Sequence, residues 1–75
     1  MITASQIRAA RRLLGWTQFE LSKHSGISEW SIQKVETGRI QPSKATQAAI
    51  ERALVIAGVD FDRLRRRASA GGQAD

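Results

Sequence analysis

Few side chains in this sequence have the chemistry that catalysis requires. The chain has no cysteine, and no serine–aspartate arrangement is indicated around its single histidine, His24. Paired carboxylates at a suggestive spacing, metal-ligand clusters, and phosphate- or dinucleotide-binding motifs are also absent from the sequence. We therefore interpret His24 as a partly exposed helix residue, and we expect neither an enzyme nor a bound metal or cofactor.

Side chains suited to recognition are instead concentrated in residues 17–37, which have the pattern of two short helices, 18–25 and 29–37, joined by a turn. Thr17 and Glu20 have the spacing of a capping box at the start of the first helix. Gly26 marks a sharp turn of left-handed backbone, and Ser28 can cap the second helix. In that helix an inner face is indicated by Ile32 and Val35. The arrangement predicts a helix-turn-helix, whose second helix can enter a major groove.

Several short segments stand at fixed spacing along this stretch: Gly15-Trp16-Thr17-Gln18, Glu20-Leu21, Gly26-Ile27-Ser28, Ser31-Ile32 and Glu36-Thr37-Gly38-Arg39. Together they resemble the phage-repressor-like helix-turn-helix domains of the Cro/C1 or XRE type. The resemblance covers roughly Gln6 to Val59, which is most of the chain. It implies an all-α, repressor-type domain of four to five short helices that binds double-stranded DNA, usually as a homodimer, without indicating the operator.

The resemblance also implies which side chains meet base edges. Carried over residue by residue, these positions are Ser28, Glu29, Trp30 and, one turn on, Gln33 or Lys34. Gln33 can read adenine, Lys34 can read guanine, and Glu29 can accept a hydrogen bond from cytosine N4. Glu29 and Trp30 depart from the family pattern, because phosphates repel a carboxylate and an indole is an uncommon base reader.

Three roles are open for Trp30: packing against a neighbouring helix, contact with DNA, or contact with a protein. Tryptophan is enriched at the hot spots of protein–protein interfaces. Glu29 and Trp30 thus favour a protein partner, whereas Gln18, Arg39, Lys44 and the net charge favour DNA. The leading function is a sequence-specific DNA-binding transcriptional regulator. The alternative is a helix-turn-helix scaffold that binds a regulatory protein, of the antiactivator or antitoxin type, with or without DNA binding. Another transcription regulator is the candidate partner in that case.

The family also contacts DNA and supports its motif through residues outside the second helix. Gln18 stands at a helix start, where free amides and the helix dipole favour an anion. Arg39 and Lys44 occupy positions where the family clamps phosphate. Arg11 and Glu36 match a family pair that forms a salt bridge between the first helix and the end of the third, so their expected role is structural.

Flanking helices must position this motif. The first is predicted to begin near Ala4 behind a Thr3–Gln6 capping box and to end at Gly15, with Trp16 packed under the start of the next helix. Its inner stripe is expected to contain Ile7, Ala10, Leu13 and Leu14. A fourth helix, capped by Ser43 after Pro42, is expected to reach Ala57, with Thr46, Ala49, Ile50, Ala53, Leu54 and Ala57 inward.

The C-terminal part has two interpretations between residues 60 and 68. We prefer a fifth helix, capped by Asp60 with Phe61 and Leu64 inward, to an extended segment. The surface around Phe61 and Leu64 is also the expected homodimer contact. The arginines of residues 65–67 are expected to be solvated, and the domain is expected to span residues 1–68 with a disordered tail at 69–75.

Composition limits the partners that the chain can have. Twelve lysine and arginine residues against seven acidic residues give a net charge of +5, which suits nucleic acid and also serves solubility. The longest apolar run, residues 53–59, is far shorter than the roughly 20 residues of a membrane span. Because the sequence also lacks cysteine and an apolar N-terminal signal segment, we expect a cytoplasmic protein without a membrane partner.

Overall fold

The structure, a computed structural model, describes residues 2–66. Its helices are α1 (Ala4–Leu14), α2 (Gln18–Ser25), α3 (Glu29–Glu36) and α4 (Lys44–Ile56), followed by a short helix α5 over residues 61–66. The described residues contain no strand, so the all-α prediction is confirmed, and α5 decides for the helical interpretation of the C-terminal part. The predicted domain end at residue 68 and the tail at 69–75 lie outside the described residues.

Hydroxyl groups cap the starts of the four longer helices. The side chain of each cap residue accepts a hydrogen bond from the backbone amide three residues on, and these residues are Thr3, Thr17, Ser28 and Ser43. In α1 and α2 the third helical residue, Gln6 or Glu20, accepts in return from the cap amide at 2.9 Å, which completes the predicted capping boxes. The hydrogen bonds from Thr17 hold the pKa of the Glu20 carboxyl below its ordinary value.

Glycines in left-handed conformation turn the chain at both ends of α2. Gly15 follows α1 with a φ of 68°, and Gly26 follows α2 with a φ of 75°, a region that favours glycine because it has no Cβ. The turns allow α2 to pack against α3 and α4, while α1 packs against the same two helices. Helix α3 is therefore supported from two sides.

One apolar core lies between the helices. Its buried members are Ile2, Ile7, Ala10, Leu21, Ile32, Val35, Ile50, Ala53, Leu54, Val59 and Phe61. On α4 the predicted inward set is only partly right, because Thr46, Ala49 and Ala57 are half-buried. Gln47, which the pattern did not select, is buried beside the loop of residues 40–42.

Two side chains near the α1–α2 turn lie elsewhere than the sequence predicts. Leu13 does not widen the inner stripe: it is 61% exposed, because it points about 100° away from its neighbour Leu14 around the helix. Trp16 packs against the core, but its indole stacks on the His24 imidazole at the end of α2, with ring centroids 4.2 Å apart and planes within 5°. The prediction that Trp16 lies under the start of α2 is therefore wrong, whereas His24 is an exposed helix residue.

Two further classes of feature are missing from residues 2–66. None of their helices is both long enough and apolar enough to cross a membrane. Their histidine and acidic side chains also form no group that could hold a metal ion.

Candidate nucleic-acid interface

Helix α3 is held by its inner face, which leaves its outer face to solvent. The side chains of Ile32 and Val35 are buried and anchor α3 in the core. At the helix start the Ser28 hydroxyl accepts from the Ser31 amide at 3.1 Å and donates to the Ser31 hydroxyl at 2.9 Å. The hydroxyl of Ser28 is thus engaged in the cap, and a base contact from this residue would have to share it.

The solvent-facing side chains of α3 form two ridges along the helix. Glu29 and Gln33 are four residues apart and both exposed, so they share one ridge. Trp30 and Lys34 share the other, where the Lys34 ammonium lies 5.5 Å from the centroid of the Trp30 ring. The structure therefore brings these four candidate base-reading residues onto one surface, with Ser28 at its end.

Two large aromatic rings are exposed on the motif, one on each helix. Trp30 is 62% exposed, so the packing role that the sequence leaves open for it is not observed. Phe19 on α2 is 54% exposed, and the Lys23 ammonium lies 5.5 Å from its ring centroid. The sequence interpretation did not recognise Phe19 as a surface residue, although Phe19 follows the Thr17 cap at the same distance as Trp30 follows Ser28.

Two of the three candidate phosphate-contacting residues begin a helix, and the third lies in a loop. Gln18 is the first residue of α2, and its Nε2 donates to Glu36 Oε1 at 3.1 Å. Arg39 follows α3 and Lys44 begins α4, and both are exposed. Within residues 2–66 neither cation forms an ion pair. Arg39 and Lys44 are thus available to an anion, whereas one amide hydrogen of Gln18 is used inside the protein.

A buried carboxylate, Glu36, connects the end of α3 with α1 and α2. Arg11 donates to it from Nε at 2.9 Å and from Nη2 at 3.1 Å, the two-pronged geometry of strong arginine–carboxylate pairs. Gln18 adds a third bond, Arg11 also reaches the Trp16 carbonyl at 2.9 Å, and Arg8 donates to the Glu36 backbone carbonyl. Helix α1 thus fixes the end of α3, and the outer face of α3 stays free.

The fold and this surface define a helix-turn-helix domain, in which the second motif helix has an anchored inner face and a free outer face. A family model described as Helix-turn-helix, HTH_3, matches residues 7–56, which extend from α1 to the end of α4. The chain therefore belongs to this Cro/C1-type, or XRE, family, and the resemblance seen in the sequence is confirmed. Membership indicates a DNA-binding regulator, in a class that is typically not enzymatic. No characterised protein and no solved structure matches the chain at a significant level.

Proposed function

We propose that the chain is a sequence-specific DNA-binding transcriptional regulator that places α3 in the major groove. The observation that carries this proposal is the division of α3 into a core-anchored inner face and an outer face with Glu29, Trp30, Gln33 and Lys34. Three of these side chains can form the hydrogen bonds that distinguish base pairs in the major groove. Because Glu36 ties the end of α3 to α1, the outer face would enter the groove as one rigid unit.

Contacts to the phosphate backbone would hold the domain in register on the duplex. Arg39 lies in the loop between α3 and α4, and Lys44 is the first residue of α4. Gln18 keeps a second amide hydrogen, and the first backbone amides of α2 lie beside it without intrahelical partners. These three residues are our candidate phosphate contacts, and the net charge of +5 favours association with DNA.

The proposal is tested by fluorescence polarisation with three labelled duplexes of equal length. One comes from upstream of the chain's own operon, one is enriched by repeated selection from a random pool, and one has random sequence. Titrations at several salt concentrations are needed because non-specific binding falls steeply with salt. Of the upstream and selected duplexes, the one with the higher affinity should be bound at least about 10³-fold more tightly than the random duplex if the protein is a specific regulator. Equal affinity for all three, or no binding, would contradict the proposal.

Arg39→Ala and Lys44→Ala are each expected to weaken binding to cognate and random duplexes by similar factors, since phosphates carry no sequence information. Each change should reduce the magnitude of the slope of log K against log[salt] by about 0.9, for one lost phosphate contact. Arg52→Ala is the control, because Arg52 is an exposed cation on α4 about 12 Å beyond Lys44 along the helix. If affinity falls and the slope stays the same, that side chain does not contact phosphate.

We also propose that the chain binds a two-fold operator as a homodimer, through a surface that keeps Leu64 but not Phe61 from the contact that the sequence suggests. Phe61 is 5% exposed and belongs to the core, so Phe61 itself is too deeply buried to take part in the predicted contact. Leu64 instead lines a groove between α5 and the end of α1, together with Leu13, Asp60 and Arg63. Leu13 is exposed there and has no apolar cover. The groove also contains the Asp60 carboxylate and the Arg63 guanidinium, so in a two-fold dimer each of these groups could form an ion pair with the opposite group of the second copy.

Leu13→Glu should separate dimerisation from DNA contact. On a duplex with two half-sites about 34 Å apart, we expect the variant to lose roughly 10²-fold in affinity, because the second half-site no longer adds avidity. Binding to a single half-site should not change. Ser5→Glu adds the same charge at the exposed start of α1 and serves as the control. A Leu13→Glu variant that still covers both half-sites with wild-type affinity would exclude this groove as the contact.

A second candidate function is supported by the two exposed aromatic rings. Trp30 and Phe19 each present a large apolar side chain to solvent on neighbouring helices, and such rings are typical anchors of protein–protein interfaces. In this alternative the domain is a scaffold that binds a regulatory protein, as an antiactivator or antitoxin does, with or without DNA binding. Capture of a regulator by the wild type and its loss in a Trp30 variant would favour it.

A further inference from the structure

The candidate recognition surface contains one side chain that DNA phosphates repel. Glu29 is the first residue of α3 and is exposed, and no ion pair within residues 2–66 involves it. The other charged residue on this surface, Lys34, is a cation, and the candidate phosphate contacts Arg39 and Lys44 are cations as well. A free carboxylate among them lowers the attraction for DNA in general, so its presence in the recognition helix calls for a compensating role.

Local helix stability does not require a carboxylate at this position. An acidic residue in the first turn interacts favourably with the helix dipole, but α1 and α4 begin without one. In α2 the acidic residue, Glu20, bonds back to the Thr17 amide and completes a capping box. Helix α3 has only the Ser28 side-chain cap, to which Glu29 contributes no bond. The Glu29 carboxylate is therefore free for an external donor.

We propose that Glu29 is a specificity-determining residue that selects cytosine at one position of each half-site. A carboxylate only accepts hydrogen bonds, and cytosine presents its N4 amino group as a donor in the major groove. Guanine and thymine present acceptor oxygens at this edge, and adenine places its N7 acceptor beside its amino group, so each of them brings an acceptor close to the carboxylate. This inference rests on the proposed DNA-binding function.

The same charge acts against DNA of the wrong sequence. Where no amino group faces Glu29, the carboxylate approaches the duplex, loses water and gains no hydrogen bond in exchange. Cytosine at that position supplies a charge-assisted hydrogen bond that offsets the loss. Glu29 would thus raise the ratio of specific to random binding mainly by lowering the affinity for random DNA.

The experiment is a selection from a random duplex pool, followed by sequencing, with the wild type, Glu29→Gln and Glu51→Gln. Glutamine keeps the shape of the side chain, removes the charge and can read adenine. Glu51 is a carboxylate on α4 that lines a groove beside α5, so its replacement makes the same charge change outside the candidate interface. Melting curves establish that both variants are folded.

We expect the wild-type consensus to contain one column per half-site in which cytosine is favoured by about five- to 150-fold over other bases. Glu29→Gln should change that column alone, toward adenine, whereas Glu51→Gln should return the wild-type consensus. On a random duplex, Glu29→Gln should bind roughly two- to fivefold more tightly than the wild type, with a smaller change for Glu51→Gln.

The outcomes distinguish this assignment from the function on which it depends. A wild-type consensus that Glu29→Gln leaves unchanged, or that it changes in a column without cytosine, overturns the assignment and leaves specific DNA binding intact. A random-duplex affinity that does not rise in Glu29→Gln overturns the role of the charge. If the wild type enriches no sequence at all, specific DNA binding fails, and the assignment of Glu29 falls with it.

Discussion

Replacing Arg11 with alanine should lower the free energy of unfolding by about 3–5 kcal/mol. The Arg11 side chain is 16% exposed and its partner Glu36 is 2% exposed, so the change leaves a carboxylate in the interior with the Gln18 amide as its remaining side-chain donor. It also removes the donor that Arg11 supplies to the Trp16 carbonyl. Domains of this kind have a total stability of only about 5–15 kcal/mol, so the melting temperature from circular dichroism should fall sharply.

Arg12→Ala is the matched control, because Arg12 is the next residue, carries the same charge and is exposed. Its removal is expected to change the free energy of unfolding by no more than about 0.5 kcal/mol. Arg11→Lys should fall between the two, since an ammonium keeps the charge but lacks the planar fork that reaches both carboxylate oxygens. Equal melting temperatures for Arg11→Ala and Arg12→Ala would show that the pair with Glu36 does not stabilise the fold.

Trp30→Ala should strongly weaken ligand binding. Whether the variant loses affinity for DNA or for a protein partner distinguishes the two candidate functions. If DNA is the main ligand, the indole packs on a thymine methyl or a sugar, and cognate affinity should fall by about 1–3 kcal/mol, more than random-duplex affinity. If a regulatory protein is the main ligand, the complex should lose a central anchor worth about 2 kcal/mol or more. Polarisation titrations and partner pull-down, made on the same protein, measure both.

The fold should survive this change, because the Trp30 ring is exposed and is not part of the apolar core. For the DNA titrations Phe19→Ala is the matched control, since it removes an exposed ring with a similar lysine contact from α2, outside the base-reading set. A cognate-specific loss is therefore expected for Trp30→Ala and not for Phe19→Ala. If neither DNA affinity nor pull-down changes in folded Trp30→Ala, both functional roles of this residue are wrong.

The sequence by itself determined the elements of the motif, because the interactions that start and end them are local. The Thr17 and Ser28 side chains cap their helices through amides three residues away, and Gly26 takes up the left-handed turn that its type favours. The alternation of Ile32 and Val35 with polar residues likewise fixes the inner face of α3 within a single helix. These short-range features also carry the family resemblance, which is why fold class and candidate recognition helix could be predicted from them.

Only the tertiary structure decided what the side chains between elements contact. The hydrogen bond from Arg8 to the Glu36 carbonyl joins residues 28 positions apart in the chain. The hydrogen bond between Gln18 and Glu36 joins α2 to α3, and the sequence pattern does not predict how these two helices cross. Burial is decided in the same way, because apolar character alone makes Phe61 and Leu13 equal candidates for the core. Phe61 is covered by the core, whereas Leu13 points into solvent beside the α5 groove. Whether an apolar residue is buried depends on which elements lie over it, and this is set by the packing of the whole domain.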